Sequence, residues 1–174
     1  MKTETIEYTV CSLLNDIMKF NKESSFELEK ILETTKTLIS FGIKNNNILN
    51  ILTIIGNISI GTGGDIKHLA LCFGQVKAKN RIMDTELNMF INLGVPMINA
   101  LAKELEITED QVRNFIEEKN VSFEDTKNVL EKLSKTRFAN LIEKQNALMT
   151  TPDTLNFLLG ITKLSITKRF LRKK

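Results

Sequence analysis

The chain has 174 residues, 42% apolar and 26% charged, enough for one compact domain or two small ones burying roughly two thirds of the unfolded surface. Eight glycines and two prolines are too few for a collagen-like or proline-rich chain, and no uncharged apolar run approaches the ~20 residues that span a bilayer. The net charge of +3 conceals an asymmetry, because six cations and no acid follow residue 160, leaving 18 basic against 21 acidic residues before it.

Helical spacing recurs from end to end, while alternating strand patterns and Asn-Gly hairpin signals are missing. A first helix over residues 4–20 lines up Ile6, Val10, Leu13, Leu14 and Ile17 as a core stripe. The same stretch holds Glu4, Glu7 and Asp16 and lacks the basic start and continuous apolar centre of an export signal, so the chain is expected to stay where it is made. Ser24 with Glu27 reads as a capping box opening a second helix that Gly42 stops, with Ile31, Leu32, Thr35, Leu38 and Ile39 buried.

Asn47 is placed to cap a third helix over 48–60. Its isoleucines and leucines surround it, which predicts a position at the centre of the core. Gly61-Thr62-Gly63-Gly64 ends it, and Asp65 caps a fourth helix whose Ile66, Leu69, Ala70, Phe73 and Val76 face inward. A fifth helix follows Asp84 and stops at Gly94, and Pro96 fits the first turn of a sixth over 96–106. Thr108 with Gln111 and Ser122 with Asp125 open two more, and a ninth is predicted over 137–149. Thr151-Pro152-Asp153 then reads as a linker to a basic amphipathic helix over 154–174. The expectation is all-α: a compact bundle of about eight to ten short helices without a sheet, in residues 1–150, plus the C-terminal helix 151–174.

Few side chains are arranged for chemistry. Asp65, His68 and Cys72 share one helix face, but a mid-helix thiol has no free backbone N–H groups beside it to stabilise an oxyanion, so capping, surface and core roles are expected for the three. Cys11 and Cys72 form no Cys-x-x-Cys pair, which supports neither a disulfide framework nor a zinc site and fits a reducing cytoplasm. The glycine-rich turn before Asp65 lacks the Gly-Lys-Ser/Thr of a phosphate loop and follows a helix, not a strand. The pairs Glu117/Glu118 and Glu124/Asp125 read as solvated faces.

Leu101, Ala102, Leu105, Ile107, Val112 and Phe115 have the spacing of a helix-turn-helix. Its would-be recognition helix, 108–118, holds Glu109, Asp110, Glu117 and Glu118 against Arg113 alone, which argues against a DNA contact. The basic end offers Lys168, Arg169, Arg172, Lys173 and Lys174 beside Ile161, Leu164, Ile166, Phe170 and Leu171 as a partner contact, or else as ordinary solubilising charge.

The order of segments carries more. Gly63-Gly64-Asp65-Ile66-Lys67-His68-Leu69-Ala70-Leu71 with Gly74-Gln75-Val76-Lys77-Ala78-Lys79 resembles the opening of the phage tail tape measure domain. Asp84-Thr85-Glu86-Leu87, Leu93-Gly94-Val95-Pro96, Leu101-Ala102-Lys103-Glu104-Leu105 and Val121-Ser122-Phe123-Glu124-Asp125 are similar to its later motifs in the same order. Arg137-Phe138-Ala139-Asn140-Leu141-Ile142-Glu143-Lys144-Gln145 is similar to its closing segment. The resemblance covers about residues 26–149 and marks Gly63, Gly64, Asp65, Leu69, Gln75, Gly94, Pro96 and Ala102 as structural motif positions. Two positions depart from it: Leu93 stands where an alanine is frequent, and Glu106 replaces a frequent glycine before Ile107, which predicts a less sharply turned helix end.

The resemblance implies a structural protein of a phage tail or tail-like particle, acting in tail assembly and length determination, without catalytic residues, cofactor, metal or small-molecule substrate. Implied partners are tail tube, tail-tip or baseplate proteins, tail assembly chaperones and further copies of itself. Neither nucleic acid nor membrane is an expected partner. The implied location is the virion tail, with assembly in the host cytoplasm. As one continuous helix 174 residues would span about 260 Å, so the chain is expected to be a domain of a longer protein or a stand-alone relative. A prophage-encoded helical adaptor or regulator, and a nucleic-acid binder acting through the basic end, are the alternative readings.

Overall fold

Left-handed stops and N-terminal caps divide the chain. The computed structural model describes residues 2–118 and 121–149, with side chains from Cys11 onward. Within them lie nine helices: α1 (Lys2–Glu23), α2 (Leu28–Ser40), α3 (Asn45–Thr62), α4 (Ile66–Lys79), α5 (Asp84–Asn92), α6 (Met97–Leu105), α7 (Glu109–Glu117), α8 (Phe123–Lys135) and α9 (Leu141–Met149). The described residues contain no strand, only an isolated antiparallel bridge between Arg81 and Ser122. Ile82 N–H donates to Val121 O and Phe123 N–H to Asn80 O around that bridge, tying the α4–α5 loop to the start of α8.

As predicted, α3 is the centre. Ile48, Ile51, Leu52, Ile54, Ile55 and Ile58 are all buried, and α1, α2, α4, α8 and α9 pack around it. The remaining helices form an outer group in which α5 touches α4, α6 and α7, while α6 also rests on α8. The inward residues expected on α4 are buried without exception. Gly42, Gly63 and Gly94 all take positive φ, as the helix stops require.

Several local expectations are corrected. The Ser24–Glu27 capping box does not form: α1 continues to Glu23, Glu27 becomes the N-cap of α2 without a side-chain cap, and the buried Ser24 hydroxyl finds no partner among the described residues. Aromatic packing outweighs the cap here. Phe26 stacks on Phe20 at 6.2 Å, and Asn21 Nδ2 donates to Phe26 O at 3.2 Å, so residues 24–26 turn a corner. Asn47 likewise falls inside α3, because Ile43 N–H closes onto Leu38 O and the helix restarts directly at Asn45.

Leu14, Leu32 and Ile39 are exposed instead of buried. The inner face of α2 is Ile31, Thr34, Thr35 and Leu38, where Thr34 meets its hydrogen-bonding need by donating to Lys30 O at 2.7 Å. Asp84 opens α5 behind the N-cap Met83, and Pro96 is itself the N-cap of α6. The last helix starts at Leu141, not residue 137, because Phe138 turns into the core and Asn140 takes φ 56°. The linker Thr151-Pro152-Asp153 and the basic stretch 154–174 lie outside the described residues.

Candidate functional site

Most of the motif residues meet at one junction. The turn between α3 and α4 lies against the turn between α5 and α6, and glycine makes the approach possible. A Cβ on Gly64 would sit 2.8 Å from the Leu93 carbonyl oxygen, and one on Gly94 would sit 3.2 Å from Thr62 Cβ. Since the Leu93 oxygen is backbone, it cannot swing aside. Ser59 Oγ donates to Gly64 O at 2.6 Å, and Gly64 N–H donates to Thr62 Oγ1 at 3.1 Å, so both backbone groups of Gly64 are satisfied by α3 side chains. On the far side, a Cβ on Gly61 would collide with the Phe138 ring. The glycine-rich turn is therefore a packing surface for backbone and aromatic neighbours, not a phosphate cradle.

Asp65 continues this junction into α4. Its Oδ1 accepts from Lys67 N–H at 2.9 Å and His68 N–H at 3.2 Å, the expected N-cap, and its Oδ2 accepts from Lys30 Nζ of α2 at 2.7 Å. Partial burial raises its pKa, but the Lys30 ammonium and the two backbone donors outweigh that and hold the carboxyl below its ordinary value of 3.8. One turn of α2 away, Glu33 accepts from Lys67 Nζ at 2.8 Å, which raises the Lys67 pKa. Two ion pairs thus bridge α2 and α4. Further along, a Cβ on Gly74 would run into the Phe41 ring, so this glycine too marks where α4 meets the end of α2. Leu69 is buried and Gln75 half-buried on α4; Ala102 is buried on α6, where its carbonyl accepts from Ile107 N–H at 3.0 Å.

The Asp65, His68 and Cys72 face does not converge. His68 is exposed, Asp65 is occupied as a cap, and Cys72 is buried with its thiol donating to Glu86 O at 3.4 Å. Burial and the nearby Glu86 charge push the thiol pKa far up, so the thiolate nucleophile is not formed near neutrality. Among the described residues no three His, Cys, Asp or Glu side chains group to hold a metal ion, and no helix is long and apolar enough to cross a membrane. An open cleft of about 290 Å³ between α3, α4 and α8 has Phe73 and Phe123 in its wall, packed edge to face, with Lys77 over the Phe123 ring at 4.6 Å. Its Lys127 is already paired at 2.9 Å with Glu124, which stays exposed to solvent as expected.

The α6–α7 pair packs with the spacing of a helix-turn-helix, but Arg113, its lone cation on α7, bonds to Asp84 and Asn88 of α5. The turn between them corrects one expectation. Glu106 adopts φ 55° and ψ 38°, a full left-handed stop, so this end is as sharply turned as one made with glycine.

Two arrangements escaped the sequence reading. Glu86 is 1% exposed on α5, with Oε1 2.6 Å from Lys79 Nζ and Oε2 without a hydrogen-bond partner among the described residues. Asn57, in the middle of α3, accepts from Ile142 N–H at 3.0 Å and so caps the start of α9 from 85 positions away. An Asn-to-helix bond across such a separation leaves no local signal. Lys168, Arg169, Arg172, Lys173 and Lys174 lie outside the described residues.

Compared with known proteins, the chain matches a family described as tape measure protein over residues 8–155. No curated protein and no solved structure matches it. With most of its length covered, in the stretch that holds every motif of the glycine junction, the chain belongs to the tape measure protein family.

Proposed function

We propose that residues 1–150 are a folded docking domain of a phage tail tape measure protein, which binds tail components during assembly, and not a stretch of the extended ruler. The observation that carries this reading is the closure of the helices around α3, with α9 returning to α1 and α3. In a helical ruler, distance grows by about 1.5 Å per residue. Here the distance between chain ends follows from packing and is insensitive to residue count. Tail tube, tail-tip or baseplate proteins and assembly chaperones are the partners this role requires, at the particle and in the host cell where it is built. The family is structural, which supports reading the side chains described above as binding surfaces.

Deletion of residues 121–133, most of α8, within the tape measure protein that carries this domain tests the reading. Electron micrographs should show failed assembly or tails of scattered length. Uniform tails shortened in proportion to the deletion would identify the region as spacer and sink the proposal.

A further inference from the structure

Helix α2 is inverted along one edge. Thr34 and Thr35 are buried on its inner face, whereas Leu28, Leu32 and Ile39 are 39%, 43% and 41% exposed. Burial favours the reverse arrangement, because a buried threonine must bring a partner for its hydroxyl and an exposed leucine or isoleucine leaves apolar surface in water. Thr35 Oγ1 has no hydrogen-bond partner among the described residues. At positions 28, 32 and 39 the three apolar side chains fall on one line about 16 Å long, a continuous stripe and not single residues scattered over a surface.

The charges beside this stripe have a pattern. On the side of α2 that faces α4, Lys30 and Glu33 are taken up by Asp65 and Lys67. Glu29 and Lys36 are exposed, and neither has an ion-pair partner among the described residues. Seven positions apart, they lie two helical turns apart along the same edge of the stripe, the acid near its start and the base near its end.

A second copy of the helix, laid antiparallel across the first, answers both features. About a two-fold axis near residue 33, Leu28 meets Ile39 of the second copy, the two Leu32 side chains meet at the axis, and Glu29 faces Lys36 of the second copy at both ends. The midpoints of these pairs all fall between residues 32 and 34, so one axis serves every contact. A parallel pair would bring each residue level with its own copy and give neither charge an opposite partner, so charge selects the antiparallel direction.

We propose that the domain associates with a second copy of itself through α2, as an antiparallel two-fold pair. The seam is short, which places it in the small, reversible class of interface. It involves none of the tail components that the domain is proposed to dock.

Sedimentation equilibrium of the full chain from about 10 μM to about 1 mM spans the range in which such an interface forms. Wild type should pass from monomer to dimer, and Leu32→Asp should stay monomeric throughout. Glu29→Lys and Lys36→Glu each replace two attractions by two repulsions, so each should weaken the dimer about fivefold or more. Both substitutions together should bring it back to within about twofold of wild type, and that recovery also shows that neither exposed change harms the fold. A wild type that stays monomeric across the range would overturn the proposal. Dimers indifferent to the single reversals would overturn it in favour of another surface, and a double reversal that fails to restore association would overturn the antiparallel pairing.

Discussion

The two turns that flank α6 solve the same geometric problem with opposite residues. Gly94 before it and Glu106 after it both hold positive φ, at 80° and 55°. What separates them is the neighbourhood. Gly94 lies against Thr62 of the α3–α4 turn, so a side chain there meets both backbone strain and a close contact, whereas Glu106 projects into solvent and bears the strain alone. A left-handed residue other than glycine costs about 1–2 kcal/mol, an amount a domain of this size can carry once or twice. Where strain and crowding coincide, only glycine serves; where the side chain has room, the position tolerates drift.

The largest test of this contrast is Gly94→Val. With a β-branched residue at positive φ and Thr62 Cβ 3.2 Å from the new Cβ, loss of stability should reach about 2 kcal/mol or more, read from the urea midpoint. A loss under about 0.5 kcal/mol would mean that the junction of the two turns yields easily. Asp65→Ala, at the other side of that junction, should cost about 1 kcal/mol through the lost N-cap. Asp65→Asn keeps a capping oxygen but gives up the Lys30 pair. Because the Asp65 pKa is lowered on folding, its extra stability is complete above the unfolded value of 3.8 and is lost as pH falls through the folded one. The gap between wild type and Asp65→Asn should therefore close below about pH 4, and a gap that persists in acid would assign the effect to something other than the carboxylate.

Glu106→Gly should have the opposite sign to Gly94→Val, raising stability by up to about 1 kcal/mol as relief of strain exceeds the added freedom of the unfolded chain. Destabilisation on thermal unfolding would show that Glu106 makes a compensating contact. Smallest of all, Arg113→Ala should cost no more than about 1 kcal/mol, since its pairs with Asp84 and Asn88 are exposed. Duplex DNA should show no salt-dependent footprint on α7 that Arg113→Ala removes; such a footprint would restore the helix-turn-helix reading.

What could be read from the sequence follows from how local each cause is. Gly42, Gly63, Gly94, Asp65 and Ser122 act within a few residues of themselves, and the helix boundaries they set agree with expectation. Glu106 was misread because residue identity alone speaks for glycine there, while solvent access decides the matter. Ser24 failed as a cap because the Phe20–Phe26 stack, which packs the corner residue Phe26 back on α1, reshaped the turn around it. Leu32 and Ile39 were misplaced because a stripe of helical spacing can fall to either side of α2, and the threonines took the inner one. Of the candidate site, the turns at Gly63 and Gly94 were legible as helix stops; that Gly64 meets Leu93 backbone required the fold.

The Asn57–Ile142 bond carries a consequence for synthesis. The side chain of Asn57 sits in the middle of the central helix, 6% exposed, and its acceptor is matched by a backbone group made 85 residues later. While the ribosome is still adding residues 58–141, that oxygen must stay hydrated, because burying it without its donor costs about 1–3 kcal/mol. Dry closure of the central helix around Asn57 is therefore disfavoured by about that amount until α9 has emerged. Final consolidation of the core around Asn57 is favoured only once nearly the whole domain has been made.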